Sequence, residues 1–249
     1  WNWTNVPEVS LFQPGFRSYL LAAATPVALP EGFWREPLVV RQALFFREVL
    51  RRYLGVRILA GELVVGSCFS TALSRCLNRQ EAQARDRAER AFLKEWQVLN
   101  SLGVGNCGAV PGHLVPDYPK VLRIGWRGIH AEAQAVLADP ASSERRDLAR
   151  AIAICAEAVP LFTERYALEA ERLAAVEADP QRRAELGEIA RIARKVPWLP
   201  AETFPEALQA LWTTHMLVMA AESYPGPGIS PGRVDQYLYP YYQADLAAG

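Results

Sequence analysis

Leu148, Ile152, Cys155, Val159, Phe162 and Tyr166 recur at spacings of four, three, four, three and four. Only a helix returns all six to one face, so the spacing predicts a helix after Asp139-Pro140 whose apolar stripe must be buried against other elements. Pro160 lies inside this run and predicts a kink, because its ring removes a backbone donor and collides with the preceding turn.

The rest of the chain follows the same rhythm. Pro37 is suited to a helix start, with Leu38, Phe45, Val49 and Tyr53 marking a face and Gly55 ending it. Ala88, Phe92, Trp96 and Leu99 mark an amphipathic helix within residues 78–102. Asp179-Pro180 predicts a capped helix through Ile192, and Thr203-x-x-Glu206 with Pro205 predicts another from Phe204 to roughly Glu222. Between glycines, the β-branched runs of residues 56–66 predict a turn feeding one short strand. The expected fold class is mainly α with one or few short strands. No repeat or Gly/Ser linker divides the chain, so residues 1–249 are read as one unit without an internal boundary.

Composition removes several functions. Hydrophobic residues are 51% and charged residues 22%, ordinary for a globular protein, and 27 Lys plus Arg balance 27 Asp plus Glu. Such a chain has no global field toward nucleic acid or an anionic membrane, and neither is expected as a partner. Its apolar stretches fall short of the ~20 residues of a membrane span. The start does not read as a signal peptide, so a cytoplasmic location is expected. Cys68, Cys76, Cys107 and Cys155 form no CxxC pair and lack clustered histidines, so neither a metal site nor a disulfide framework is expected. The chain opens on Trp1 and stops at Gly249 after an aromatic stretch, which suggests a portion of a longer protein.

Two segments break the helical pattern. In the first, residues 103–118, four glycines within ten residues precede His113 and Asp117. A loop of this kind can carry an imidazole as proton carrier or hydrogen-bond donor with a carboxylate orienting it. It can equally be a surface loop in which Asp117 caps the helix that begins near Pro119. In the second, residues 222–237, alternating Pro and Gly force a rigid path that can present Ser230 inward, while Arg233 and Asp235 pair or fasten the turn. The bland reading is a linker with Ser230 as a helix cap. The two segments are expected to approach each other so that His113 and Ser230 face one cavity. Tyr237, Tyr239, Tyr241 and Tyr242 read as core or interface aromatics with polar tips.

Both segments lie within a series of landmarks: Gly61-Glu62-Leu63-Val64-Val65-Gly66; Gly112-His113-Leu114-Val115-Pro116-Asp117-Tyr118 with Lys120-Val121-Leu122 and Gly125-x-x-Gly128-Ile129; Asp179-Pro180 with Arg183-Ala184-Glu185-Leu186; Phe204-x-Glu206-Ala207-Leu208-Gln209; and Ile229-Ser230-x-Gly232-Arg233-x-Asp235-Gln236-Tyr237-Leu238-Tyr239-Pro240-Tyr241-Tyr242. In this order they resemble the glycyl radical enzymes, the family of pyruvate formate-lyase and its dehydratase, lyase and decarboxylase relatives. The resemblance implies a β/α barrel surrounded by helices, with this chain as the helix-rich amino-terminal part.

It also implies a reaction. A glycyl radical, installed by a radical S-adenosylmethionine activating enzyme, makes a cysteine thiyl that abstracts hydrogen from a small polar substrate, and a leaving group is then eliminated. Arylacetate decarboxylation is a variant. Neither the radical loop nor the thiyl cysteine motif occurs in this chain, and both are expected beyond Gly249, with Cys107 in the wrong region to serve. No cofactor is expected to bind this chain, and alone it is expected to be inactive and prone to associate. By the resemblance, His113 becomes a candidate proton donor, His113 and Ser230 become substrate-binding residues, and Asp117 is a weaker candidate that orients the loop. The implied partners are the substrate, the activating enzyme, the rest of the barrel and, by family habit, a second copy. The competing reading is a non-catalytic helical module that keeps the scaffold and binds a partner chain.

Overall fold

The structure is a computed structural model that describes residues 28–53, 56–66, 78–102, 114–221 and 229–249. Among these residues the helices, in order, are α1 (Leu38–Glu48), α2 (Arg79–Ser101), α3 (Tyr118–Ala138), α4 (Arg146–Ala174), α5 (Pro180–Lys195), α6 (Phe204–Ala221) and α7 (Val234–Ala248). Short 3-10 turns at Phe33–Arg35 and Pro140–Arg145 and a π turn at Val49–Tyr53 flank them. The class is mainly helical, as expected.

Local chemistry sets the helix starts. Asp179 accepts from the Gln181 N–H at 3.0 Å and Asp117 from the Lys120 N–H at 3.0 Å, each satisfying a donor that a helix leaves unpaired. Thr203 accepts from the Glu206 N–H at 3.4 Å. Pro37 stands at the cap of α1 rather than inside its first turn, and Gly55 lies outside the described residues.

The long helix packs centrally, against α1, α3 and α5. Its stripe supplies Val159, Phe162 and Tyr166 to a core that also holds Phe45, Leu50, Leu186 and Met216. Full burial of side chains such as Phe162 and Leu186 stabilises by about 1.5–3 kcal/mol each. A second cluster joins Leu122, Ile192, Val196, Ala207, Ala210 and Leu238. Leu148 and Ile152, by contrast, stay exposed and line an apolar groove of about 420 Å3 with Val39, Phe46, Trp126 and Leu217.

The helix assignment continues through Pro160, with Ala156, Ala158, Val159 and Phe162 around it fully buried. A break that the sequence does not signal comes in α3, at Gly125, whose φ of 64° and ψ of 173° interrupt the helix. There the Trp126 and Arg127 N–H groups donate to the Pro197 and Trp198 carbonyls at 2.8 and 2.9 Å.

One expectation needs correction: residues 56–66 form turns and bends rather than the expected strand. Glu62 accepts from the Leu59 N–H at 2.8 Å and holds the turn. The Gln209 side chain then captures Val65, accepting from its N–H and donating to its carbonyl, both at 2.8 Å. A side-chain amide supplies the same donor and acceptor that a neighbouring strand would have offered.

Candidate functional site

The described ends of the two irregular segments meet. Leu114 and Ile229 pair as parallel neighbours, and the Ser230 N–H donates to the Leu114 carbonyl at 2.9 Å. Each partner runs directly into a helix, Leu114 into α3 and Ile229 into α7. His113 and Cys107 lie outside the described residues.

Ser230 is exposed at this junction. Its hydroxyl oxygen accepts from the Gly232 N–H at 3.2 Å, closing a tight turn, while Arg233 rather than Ser230 stands at the cap of α7. This bond uses a lone pair and leaves the hydroxyl proton available to a ligand. Gly232 has φ +71°, and a Cβ on it would come within 2.8 Å of the Val115 side chain. The turn therefore requires glycine both for its conformation and for its contact with the first segment. Tyr237 fixes the far side by donating to the Pro231 carbonyl at 2.6 Å. The exposed Asp117 carboxylate is engaged as the cap of α3.

A cleft of about 340 Å3 opens between the segments, with Val115, Pro116 and Pro119 on one side and Pro231, Arg233, Gln236 and Tyr237 on the other. Ser230 is not part of its lining.

Behind the junction lies a column of rings that the sequence alone does not reveal. Tyr118 is fully buried and stacks on Tyr237 at 6.2 Å between ring centres. Its hydroxyl is 2.7 Å from His215 Nδ1. His215 in turn stacks on Trp212 at 5.8 Å, and the Trp212 indole donates to the Gly66 carbonyl at 3.1 Å. Burial, with the nearby Tyr237, pushes the Tyr118 phenol far above its ordinary value, and burial takes Tyr237 up to about 12. Burial pushes His215 down, which favours the neutral ring. The sequence signal for this column is a polar set, Gln209, Thr213, Thr214 and His215, in the middle of a mainly apolar helix.

Among the described residues no group of three or more His, Cys, Asp or Glu could hold a metal ion, and no helix is long and apolar enough to cross a membrane.

The pyruvate formate lyase-like family profile matches residues 69–249. The chain belongs to the pyruvate formate lyase-like family. Among its relatives, isethionate sulfite-lyase of Nitratidesulfovibrio vulgaris is 44% identical over 141 residues, covering 54% of this chain and 17% of that protein. A (2S)-3-sulfopropanediol dehydratase of Klebsiella oxytoca is 35% identical over 140 residues, again covering 54% of this chain and 17% of that protein. A solved glycyl radical enzyme from Archaeoglobus fulgidus superposes with a TM-score of 0.68 at 27% identity, covering 94% of this chain and 37% of its own. The chain thus spans about a sixth of the length of these curated relatives and about a third of the solved one. Its relatives are glycyl radical lyases.

Proposed function

We propose that this chain is the helix-rich amino-terminal portion of a glycyl radical lyase that eliminates a leaving group from a small polar substrate. The observation that carries the reading is the parallel pairing of Leu114 with Ile229, which ties the segment after His113 to the segment of Ser230. The radical supplies hydrogen abstraction, from a part of the protein outside this chain, after installation by an activating enzyme. The residues of this chain bind, orient and move a proton. His113 gives a proton to the departing group, Ser230 uses its free O–H to hold a neighbouring polar group, and Asp117 keeps the first segment anchored on α3. An uncharged leaving group departs at lower cost when a positioned donor meets the charge that develops on it.

The sulfite-lyase and dehydratase relatives support elimination from a small hydroxylated substrate. A second reading, a non-catalytic module that binds a partner chain, draws on the apolar groove beside Leu148 and Ile152.

The test is turnover in a full-length protein carrying this sequence, activated without oxygen. His113→Ala is expected to lower turnover on the order of a hundredfold, as loss of a donor to a developing charge does. Ser230→Ala is expected to lower it about fivefold, the effect of one neutral hydrogen bond. In both, the glycyl radical signal in electron paramagnetic resonance persists. Unchanged turnover at normal radical yield overturns the site, and absence of any radical after activation favours the binding module.

A further inference from the structure

We propose that Tyr118 and His215 are a positioning pair that holds the Leu114–Ile229 junction, and with it Ser230, in register. This deepens the substrate-site reading and rests on it only for the importance of Ser230.

The pair has a defined polarity. Tyr118 is completely buried, and among the described residues the one partner of its hydroxyl is His215 Nδ1 at 2.7 Å. Were Nδ1 protonated and donating, the phenol proton would be left buried with no acceptor among the described residues, at the full desolvation penalty of an unpaired donor. The phenol therefore donates to Nδ1, and the ring proton resides on Nε2. His215 is half-buried and Tyr118 fully buried, so the unpaired donor costs less on the ring than on the phenol.

The pair also has leverage. Tyr118 follows Leu114 closely and opens α3, and its ring faces Tyr237, whose hydroxyl grips Pro231 next to Ser230. Through His215 this joint is fixed to α6, and through Trp212 and Gln209 the same helix holds Val65 and Gly66. This hydrogen bond thus ties the start of α3 to α6 at the junction itself, beside the apolar contacts that Leu122 and Leu238 make farther along α3 and α7.

The test uses a full-length protein carrying this sequence and needs no substrate. Nitrogen-15 resonances of His215 are expected to show Nδ1 as an unprotonated acceptor and Nε2 as the protonated nitrogen. Tyr118→Phe, which keeps the ring and removes the hydroxyl, is expected to abolish that pattern. It also speeds amide exchange of Ser230, whose N–H donates to Leu114, by about fivefold to tenfold, the effect of one lost hydrogen bond. Exchange of Ala201, which donates to the Leu122 carbonyl, is the internal control. His215→Asn, with an acceptor close to the position of Nδ1, keeps Ser230 protected, and His215→Leu does not. A protonated Nδ1, or equal Ser230 exchange in His215→Asn and His215→Leu, overturns the proposal. Because none of this measures turnover, such a failure leaves the lyase reading to its own test.

Discussion

Gly125 and Trp198 meet backbone to backbone: the Trp198 carbonyl occupies the space a side chain on Gly125 would need. The contact allows the Trp126 and Arg127 N–H groups to leave the α3 ladder and donate to the Pro197 and Trp198 carbonyls.

Gly125→Ala is therefore expected to destabilise strongly. A positive φ combined with this extended ψ is essentially confined to glycine and costs an L-residue about 1–3 kcal/mol, and forcing an atom into a filled space costs about 1–3 kcal/mol more. Around Gly187, on an exposed turn of α5, a β-carbon would find nothing within 4 Å. Gly187→Ala should stabilise by about 0.5–1 kcal/mol. Urea denaturation of the two variants checks the contrast, and equal midpoints would refute it.

Gln209→Ala removes both hydrogen bonds to the Val65 backbone and one to Thr213. Val65 is only 2% exposed, so its N–H and carbonyl lose their partners without gaining water. Each stranded group costs about 1–3 kcal/mol. Amide exchange at Val65 should rise sharply and global stability should fall; a Val65 amide that stays protected would show that another group carries the segment.

Glu206 predicts a pH dependence. Burial raises its carboxyl, but hydrogen bonds from Lys195, the Glu202 N–H and Arg191 outweigh burial and leave it below the ordinary 4.5. A depressed folded value means that the unfolded chain binds the proton more readily. The stabilisation is present above pH 4.5 and is lost as the pH falls through the folded value. Stability measured downward from pH 4.5 should drop more steeply in the parent chain than in Glu206→Gln. Parallel curves would remove Glu206 from the account.

The helices are legible in the sequence because their signals are local. Asp117, Asp179 and Thr203 cap the helices they precede, and the stripe from Val159 to Tyr166 is buried. What the sequence conceals depends on distant partners. The strand-like pattern ending at Val65 finds its backbone partner in a side chain 144 positions away. His215 looks like a core residue on an apolar helix until Tyr118, 97 positions away, is placed beside it. The interruption of α3 at Gly125 depends on the Pro197 and Trp198 carbonyls, more than seventy positions on. Within the candidate site, the meeting of the two segments is readable as a resemblance between motifs, while the ring column behind them is not.

The parallel sense of the Leu114–Ile229 pair has a kinetic meaning. Parallel neighbours need a crossover, and here the crossover is the whole run of α3, α4, α5 and α6. Closing so long a loop for the one rung seen among the described residues gains little until the helices have already packed. The junction is therefore expected to close after the helices between its two sides have packed, and amide exchange at Ser230 faster than within α4 is the measurement that checks it.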